Sequence, residues 1–551
     1  MPRMTGGQAL VASLKREGVD TVFGLPGIQM DYAFDALYAE RDNIKVVHTR
    51  HEQATAYMAD GYARTTGKVG PFIVVPGPGV LNAASALATA FAVNSPVLCI
   101  TGQIQSDLID IGRGVLHEVY DQLGMLSHIT KWNARAMTPN EVPIVVHEAF
   151  RQLRSGRPRP VEIEIPPDVL GLEADVELRQ PLAPDKAPGD PGLLEQAAQL
   201  LGNARQPLIL AGGGVMSAEA WDELLAVAEM LDAPVVMTPN GRGALSDKHP
   251  LSAVQPALTE LTPTSDVILA IGTRGLGFGN VPLKPAAGAT LIRIDADPTQ
   301  LNRTVVSNVG IIADAKLALA QLAERIGKHN QKRDSRREDL AQIKAILTRT
   351  LNAAEPQASL GLALRNSVPD DAIFVDEMTQ VGYWSRAGLP IYGPRTYVTS
   401  GYQGTLGYGF PTALGAKVGN PDKKVISFNG DGGFMFNVQE MATAVQHNIG
   451  VTIVVFDDGA FGNVRRIQQE SFGSRTIASS LSNPSFADLG RTFGMPAVRA
   501  DGAQALAGAL REAMTESGPV MIHAPVSEMP NFQAQLRKAL DARNGLTGTA
   551  R

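Results

Sequence analysis

Between Lys424 and Asp458 the chain runs from a short apolar stretch (425–428) into Asn429, Gly430, Asp431, Gly432 and Gly433. Val438, Met441, Ala442 and Val445 then recur at helical spacing, and a second apolar stretch (451–456) ends in Asp457 and Asp458. Two β-branched runs flanking a helical period define a βαβ unit, whose strands are parallel and finish at the same edge of one sheet. That pattern requires a parallel sheet covered by helices. It brings Asp431 and Asp458 to a carboxyl edge, where open α/β sheets bind ligands. The glycines let the backbone approach a phosphate, and the helix N-terminus after them favours an anion. Two carboxylates beside a phosphate suit Mg²⁺. The same residues admit a plainer reading, in which Asp431 caps the helix and Asp458 with Gly459 makes a turn.

The alternation recurs along nearly the whole chain. In the first third, strands are expected over 45–48, 72–75 and 97–101, with helices over 52–66 and 82–93. Strands at 208–211, 235–237, 267–271 and 291–294 mark a second unit. Those at 373–375, 425–428, 451–456 and 520–523 mark a third. The fold class read from this pattern is α/β, with three doubly wound parallel-sheet domains over residues 1–180, 192–327 and 355–535. A stretch dense in Pro, Asp and Ala (181–191) reads as a linker, and 328–349 as a charged helix. The first and third units share an architecture without a sequence repeat.

Composition removes several classes of function. A net charge of −6 without a long basic run gives no footprint for nucleic acid. The one cysteine, Cys99, lies in an apolar run and reads as a buried strand thiol, so no intramolecular disulfide framework exists. The N-terminal residues lack the apolar core of a signal peptide, and no apolar run is long enough to span a bilayer. The expectation is a soluble cytoplasmic protein with neither nucleic-acid nor membrane partners.

Two further motifs are ambiguous alone. Thr49-Arg-His-Glu52 heads the helix over 52–66 and has the form of a capping box. His48 and His51 beside Glu52 suggest zinc, but their spacing is not that of a helical His pair and no third ligand is evident. Residues 400–409 form a glycine-dense turn before a helical stretch at 411–418.

Taken together, these features resemble the thiamine-diphosphate-dependent family of acetolactate synthase, pyruvate oxidase and benzaldehyde lyase. The resemblance is carried by VFGLPG (22–27), RHEQATAYMADGYAR (50–64), PGPGVLN (76–82) and ITKWN (129–133). It continues in SGYQGTLGYGFPTALGA (400–416), NGDGGFMFNVQE (429–440) and the Asp457-Asp458 pair. It implies pyrimidine-binding, central and diphosphate-binding domains, and a homo-oligomer (a dimer or a dimer of dimers) with the site between two chains. Glu52 would bond the pyrimidine ring nitrogen of the cofactor and favour the tautomer that takes the thiazolium C2 proton. Leu406 would prop the cofactor in its bent shape, and the Gly404 carbonyl would accept from its exocyclic amine. Asp431, Asp458 and the backbone oxygen of Ala460 would hold Mg²⁺. Thr379, Gln380, Gly430, Gly432 and Gly433 would surround the diphosphate, with Pro26, Gly27, Asn82 and Phe461 completing the cofactor's surroundings.

The family's metal motif carries Asn where this chain has Asp458; an acidic oxygen still suits Mg²⁺. The substrate pocket departs further from that of acetolactate synthases. Ile28 stands where they have glycine, His117 where they have Gln, and Asn463 and Ile467 replace channel-shaping Met and Trp. Ile28, Gln29 and His117 are therefore expected to line the substrate pocket, with Gln29 and His117 joining Glu52 as catalytic candidates. Lys131 reads equally well as a solvated lysine. Gly212-Gly213-Gly214 and the glycines at 275, 277 and 279 lack a full dinucleotide fingerprint, so FAD is not expected. The activity implied is carbon–carbon bond formation or cleavage on a 2-oxo acid, aldehyde or acyloin. The alternatives are a flavin-dependent oxidase of the same family and a cofactor-binding protein without catalysis.

Overall fold

The Val/Ile-rich runs assemble into three six-stranded sheets in which every strand is parallel to its neighbours. The structure, a computed structural model, describes residues 2–543 except 276, 279–280, 283–284 and 304. In the N-terminal sheet the order is Lys45–His48, Thr21–Gly24, Gly70–Val74, Val97–Gly102, Val161–Ile165, Trp132–Arg135. The C-terminal sheet repeats this order with Tyr397–Val398, Ile373–Val375, Val425–Gly430, Val451–Asp457, Val520–Pro525 and Ala497–Arg499. The shared architecture of the first and third units is thus a shared topology. The central sheet runs Ser252–Val254, Val235–Met237, Pro207–Ala211, Val267–Ile271, Thr290–Asp295, Val309–Ile312.

In each sheet the chain adds strands on one side of its first strand and then crosses to the other side, leaving a crevice between two adjacent strand ends. In the N-terminal sheet that crevice opens after Thr21–Gly24 and Gly70–Val74, and in the C-terminal sheet after Ile373–Val375 and Val425–Gly430. The central strands are buried on both faces, as helix-covered parallel sheets require. The outer domains pack through two helices, Glu52–Thr66 and Gly409–Gly419. Their crossing depends on glycine. A Cβ on Gly61 would run into the Thr412 carbonyl oxygen, and one on Gly415 into that of Met58.

Two expectations about elements need correction. The charged helix expected over 328–349 starts only at Arg337 and runs to Asn352, and a non-helical segment separates it from the preceding helix, Ala315–Ile326. The segment between them is drawn onto the central domain, where Asn330 Nδ2 donates to the Met230 carbonyl (2.8 Å) and Arg333 to that of Leu231 (3.1 Å). The helix expected after Gly433 is divided into Asp431–Phe434, a 3₁₀ turn at Met435–Asn437, and Glu440–Gln446. Among the described residues no helix is long and apolar enough to cross a membrane.

Candidate active site

At the C-terminal crevice, strand Val425–Gly430 delivers Asp431 and strand Val451–Asp457 delivers Asp458, with Gly430 paired to Phe456 in register. Asp431 is only 2% exposed. Burial pushes its carboxyl up to about 7, reinforced by the charges of Asp458 and Asp457 and opposed by the Asn483 hydrogen bond. Asp458 is raised as well, first by burial and against the pull of Arg465. Crowded, desolvated carboxylates of this kind are stabilised by a bound cation. Among the described residues no group of three His, Cys, Asp or Glu side chains could hold a metal by itself. A cation here would need backbone and ligand oxygens beside Asp431 and Asp458, which matches the habit of Mg²⁺. Ala460 is buried at the same edge, its backbone N–H turned to Asp458.

The glycine turn leaves no space for side chains. A Cβ on Gly432 would meet the Phe461 ring at 2.6 Å, and one on Gly430 the Thr379 methyl at 3.1 Å. Thr379 caps the helix Gln380–Gly388, its hydroxyl accepting from Gly382 N at 2.8 Å. The Gln380 side-chain carbonyl is occupied by Phe532 N (3.0 Å). Gly404 adopts φ +60° at the end of a 3₁₀ turn, a conformation that favours glycine. Two residues beyond it lies Leu406, half-buried.

The N-terminal crevice collects another group. Glu52 opens its helix and accepts from Asn82 Nδ2 at 3.0 Å. The expected capping box is absent. His51 is the cap, its Nδ1 accepting from Gln53 N (3.2 Å), while the Thr49 hydroxyl donates to the His51 carbonyl. The Glu52 carboxylate is therefore not used to close the helix. His48 faces His447 across 3.2 Å rather than His51, which disposes of the zinc pairing. Gln29 and His117, 88 positions apart, meet at 2.9 Å. Gly27 is pressed against Val75, whereas Pro26 and Ile28 are exposed on the single chain. Lys131 is not solvated. Its ammonium donates to the carbonyls of Gln152 and Ser155, both at 2.6 Å, and burial foremost lowers it to about 8.

A cavity of about 1180 Å³ lies where the three domains meet, at the crevice of the central sheet. Gly213, Gly214 and Gly272 line it, and two of them pack so closely that a Cβ on Gly214 would meet the Gly272 Cα at 2.5 Å. Its guanidinium groups have partners already. Arg157 pairs with Asp297 (2.8 Å), Arg395 with Glu219 (3.1 Å), and Arg274 donates to the Ala92 carbonyl (2.7 Å). The second glycine cluster reaches residues 276 and 279, outside the described residues.

Two residues were missed in the sequence. Asn483 donates to both Asp431 (2.6 Å) and Asp457 (2.9 Å). Glu377 is buried between the two glycine loops. It accepts from Gly407 N and lies where a Cβ on Gly433 would have to be, and burial pushes its carboxyl up to about 8. An acidic residue at a strand end was the only available signal for Glu377, and Asn483 had none.

The fold and these two crevices define a three-domain α/β protein with crowded carboxylates beside a glycine turn at one sheet edge and a carboxylate not used for capping at another. Comparison with known proteins makes this specific. Residues 4–125, 194–322 and 377–524 match the N-terminal TPP binding, central and C-terminal TPP binding domains of thiamine pyrophosphate enzymes. A probable acetolactate synthase large subunit of Methanococcus aeolicus is 34% identical over 94% of this chain and 91% of its own length. A probable 2-ketoarginine decarboxylase of Pseudomonas aeruginosa is 34% identical, covering 94% and 93%. Acetolactate synthase isozyme 1 large subunit of Escherichia coli is 32% identical, covering 95% and 94%. The chain belongs to the thiamine pyrophosphate enzyme family, and its activity is that of a thiamine diphosphate-dependent carboligase or decarboxylase.

Proposed function

We propose that the protein decarboxylates a 2-oxo acid and passes the resulting acyl unit to a small acceptor, as a homodimer or dimer of dimers in the cytoplasm. The observation that carries this reading is the pairing of a charge-crowded Asp431–Asp458 edge with a Glu52 carboxylate that, among the described residues, is held by Asn82 alone and is not spent on capping. In this assignment Asp431, Asp458 and the Ala460 carbonyl hold Mg²⁺. The amides of Gly430, Gly432 and Gly433, with Thr379 and the Gln380 amide, hold the diphosphate. Leu406 and Phe461 bear on the cofactor rings, the Gly404 carbonyl accepts from the exocyclic amine, and Pro26 and Gly27 close the pyrimidine side. Thiamine diphosphate, when bound, supplies the carbanion chemistry. Glu52 holds a proton at the pyrimidine ring nitrogen. Ile28, Gln29 and His117 shape the substrate pocket. Ile28, Leu81, Leu116 and Phe436 are exposed apolar side chains on the single chain, and covering them with a second copy supports the two-chain site.

The test is turnover of 2-oxo acids, pyruvate among them, with aldehyde acceptors. Carbon dioxide release is expected only with both thiamine diphosphate and Mg²⁺ present. If the loaded protein turns over no 2-oxo acid, aldehyde or acyloin, the assignment is wrong.

The engaged arginines favour leaving FAD out of the reaction, because a dinucleotide would need to displace ion pairs already made. The purified protein is expected to show no flavin absorbance near ~450 nm, with only the binding chemistry of the thiamine cofactor remaining. A stoichiometric yellow chromophore released on denaturation would restore the flavin reading.

A further inference from the structure

The Gln29–His117 contact fixes more than a distance. The Gln29 amide nitrogen donates to the Leu116 carbonyl at 3.1 Å. A backbone carbonyl can only accept, so the amide must turn its NH₂ toward Leu116 and its oxygen toward His117. That oxygen lies 2.9 Å from His117 Nδ1. Because an amide oxygen cannot donate, Nδ1 must carry the hydrogen. In the neutral imidazole the lone pair then resides on Nε2, and among the described residues Nε2 has no hydrogen-bond partner.

The backbone is built around this arrangement. His117 has φ +66°, in the left-handed region that non-glycine residues rarely adopt. Its carbonyl crowds Gly77, where a Cβ would come within 2.5 Å of the oxygen. Gly77 N is in turn held by Gln122 Oε1 at 3.0 Å, and Gln122 Nε2 donates to Glu164 at 2.8 Å. The turns packed against His117 (25–30 and 75–77) carry no titratable side chain. On its own loop, Glu118 is turned into the amides of Gly112, Gly114 and Val115, Asp121 caps Gln122–Leu126, and Arg113 is exposed.

We infer that Gln29 is a positioning residue that locks His117 in its Nδ1–H form, leaving Nε2 as the proton acceptor offered to a hydroxyl-bearing substrate. This rests on the reading that His117 faces the substrate, and the hydroxyl it fits is that of the acyloin or other hydroxy ketone formed when the acyl unit is passed to its acceptor, or cleaved in the reverse direction.

The experiment measures carbethoxylation of the His117 peptide by diethyl pyrocarbonate against pH, in the full-length protein, by mass spectrometry. The reagent attacks the unprotonated nitrogen, so its rate follows titration of the ring. In Gln29→Glu a carboxylate replaces the amide oxygen at Nδ1, and the midpoint is expected to rise by about one pH unit or more. Gln29→Leu, which packs without an acceptor, should move the midpoint downward. It should also reduce kcat for acetoin cleavage by about tenfold or more while KM for thiamine diphosphate holds. Identical midpoints in wild type, Gln29→Glu and Gln29→Leu would overturn the lock. Shifted midpoints combined with normal acetoin turnover by His117→Ala would preserve the hydrogen bond and instead overturn the placement of His117 at the substrate.

Discussion

Asp431→Ala is expected to fold and to lose thiamine diphosphate. Removing an outer partner of a metal ligand commonly costs ~10–100-fold in metal affinity, and Asp431 is assigned as a ligand itself. Cofactor affinity should therefore fall by more than about 100-fold at equal Mg²⁺. The fold has little reason to fail. Asp431 is a buried carboxylate whose charged form is disfavoured by its surroundings, and among the described residues its side chain bonds to another segment only through Asn483. Asn483 keeps its second acceptor, Asp457, which is also held by His523 at 3.0 Å. Chelation of the native protein with EDTA should mimic the substitution by releasing the cofactor. Titration of cofactor into wild type and variant, followed by tryptophan fluorescence or calorimetry, checks both. Equal affinity in the two proteins would show that Asp431 does not hold the metal.

That this site could be approached from the sequence follows from the regularity of parallel sheets. Two strands of a βαβ unit must end at one edge, so the placement of Asp431 and Asp458 required no knowledge of tertiary contacts. Glu52 and Gln29, by contrast, were legible through the resemblance to the family rather than through strand order. Strand order failed where side chains reach across the sequence. Asn483 lies 52 residues from Asp431 and belongs to no regular element. Glu377 acquires its role only when the loop at Gly407 closes over it. Local pattern also misled at Thr49, because a Thr-x-x-Glu spacing is compatible with a helix that starts two residues later, and His51 with its own ring nitrogen took the cap. The break between Ile326 and Arg337 was hidden for a similar reason. Helical propensity in that charged stretch is overruled by Asn330 and Arg333, which satisfy carbonyls of the central domain. Ile28 illustrates a different limit, since a single chain leaves it 65% exposed and its surroundings depend on what covers it.

Glu52→Gln is expected to lower kcat by about 10²–10⁴-fold with little change in stability, the range typical of a group that holds or moves a proton. A neutral amide cannot stabilise a proton at the pyrimidine nitrogen. Stability should hold because the carboxylate does not cap the helix. Among the described residues its one side-chain partner is Asn82, whose hydrogen bond contributes about 1.5–3 kcal/mol at most when the acceptor is charged, and Gln can still accept. Cofactor affinity should also survive, which separates this variant from Asp431→Ala and makes the two a complementing pair. If each site takes Glu52 from one chain and Asp431 from the other, a mixed dimer of the two variants contains one site with both groups intact. Random exchange of subunits would place such dimers at half the population, so recovery of roughly a quarter of wild-type turnover is expected. Exchange can be followed independently by native mass spectrometry of differently tagged chains. Complete exchange without recovered activity would put Glu52 and Asp431 of one site on the same chain, and near-native turnover by Glu52→Gln alone would remove Glu52 from the reaction.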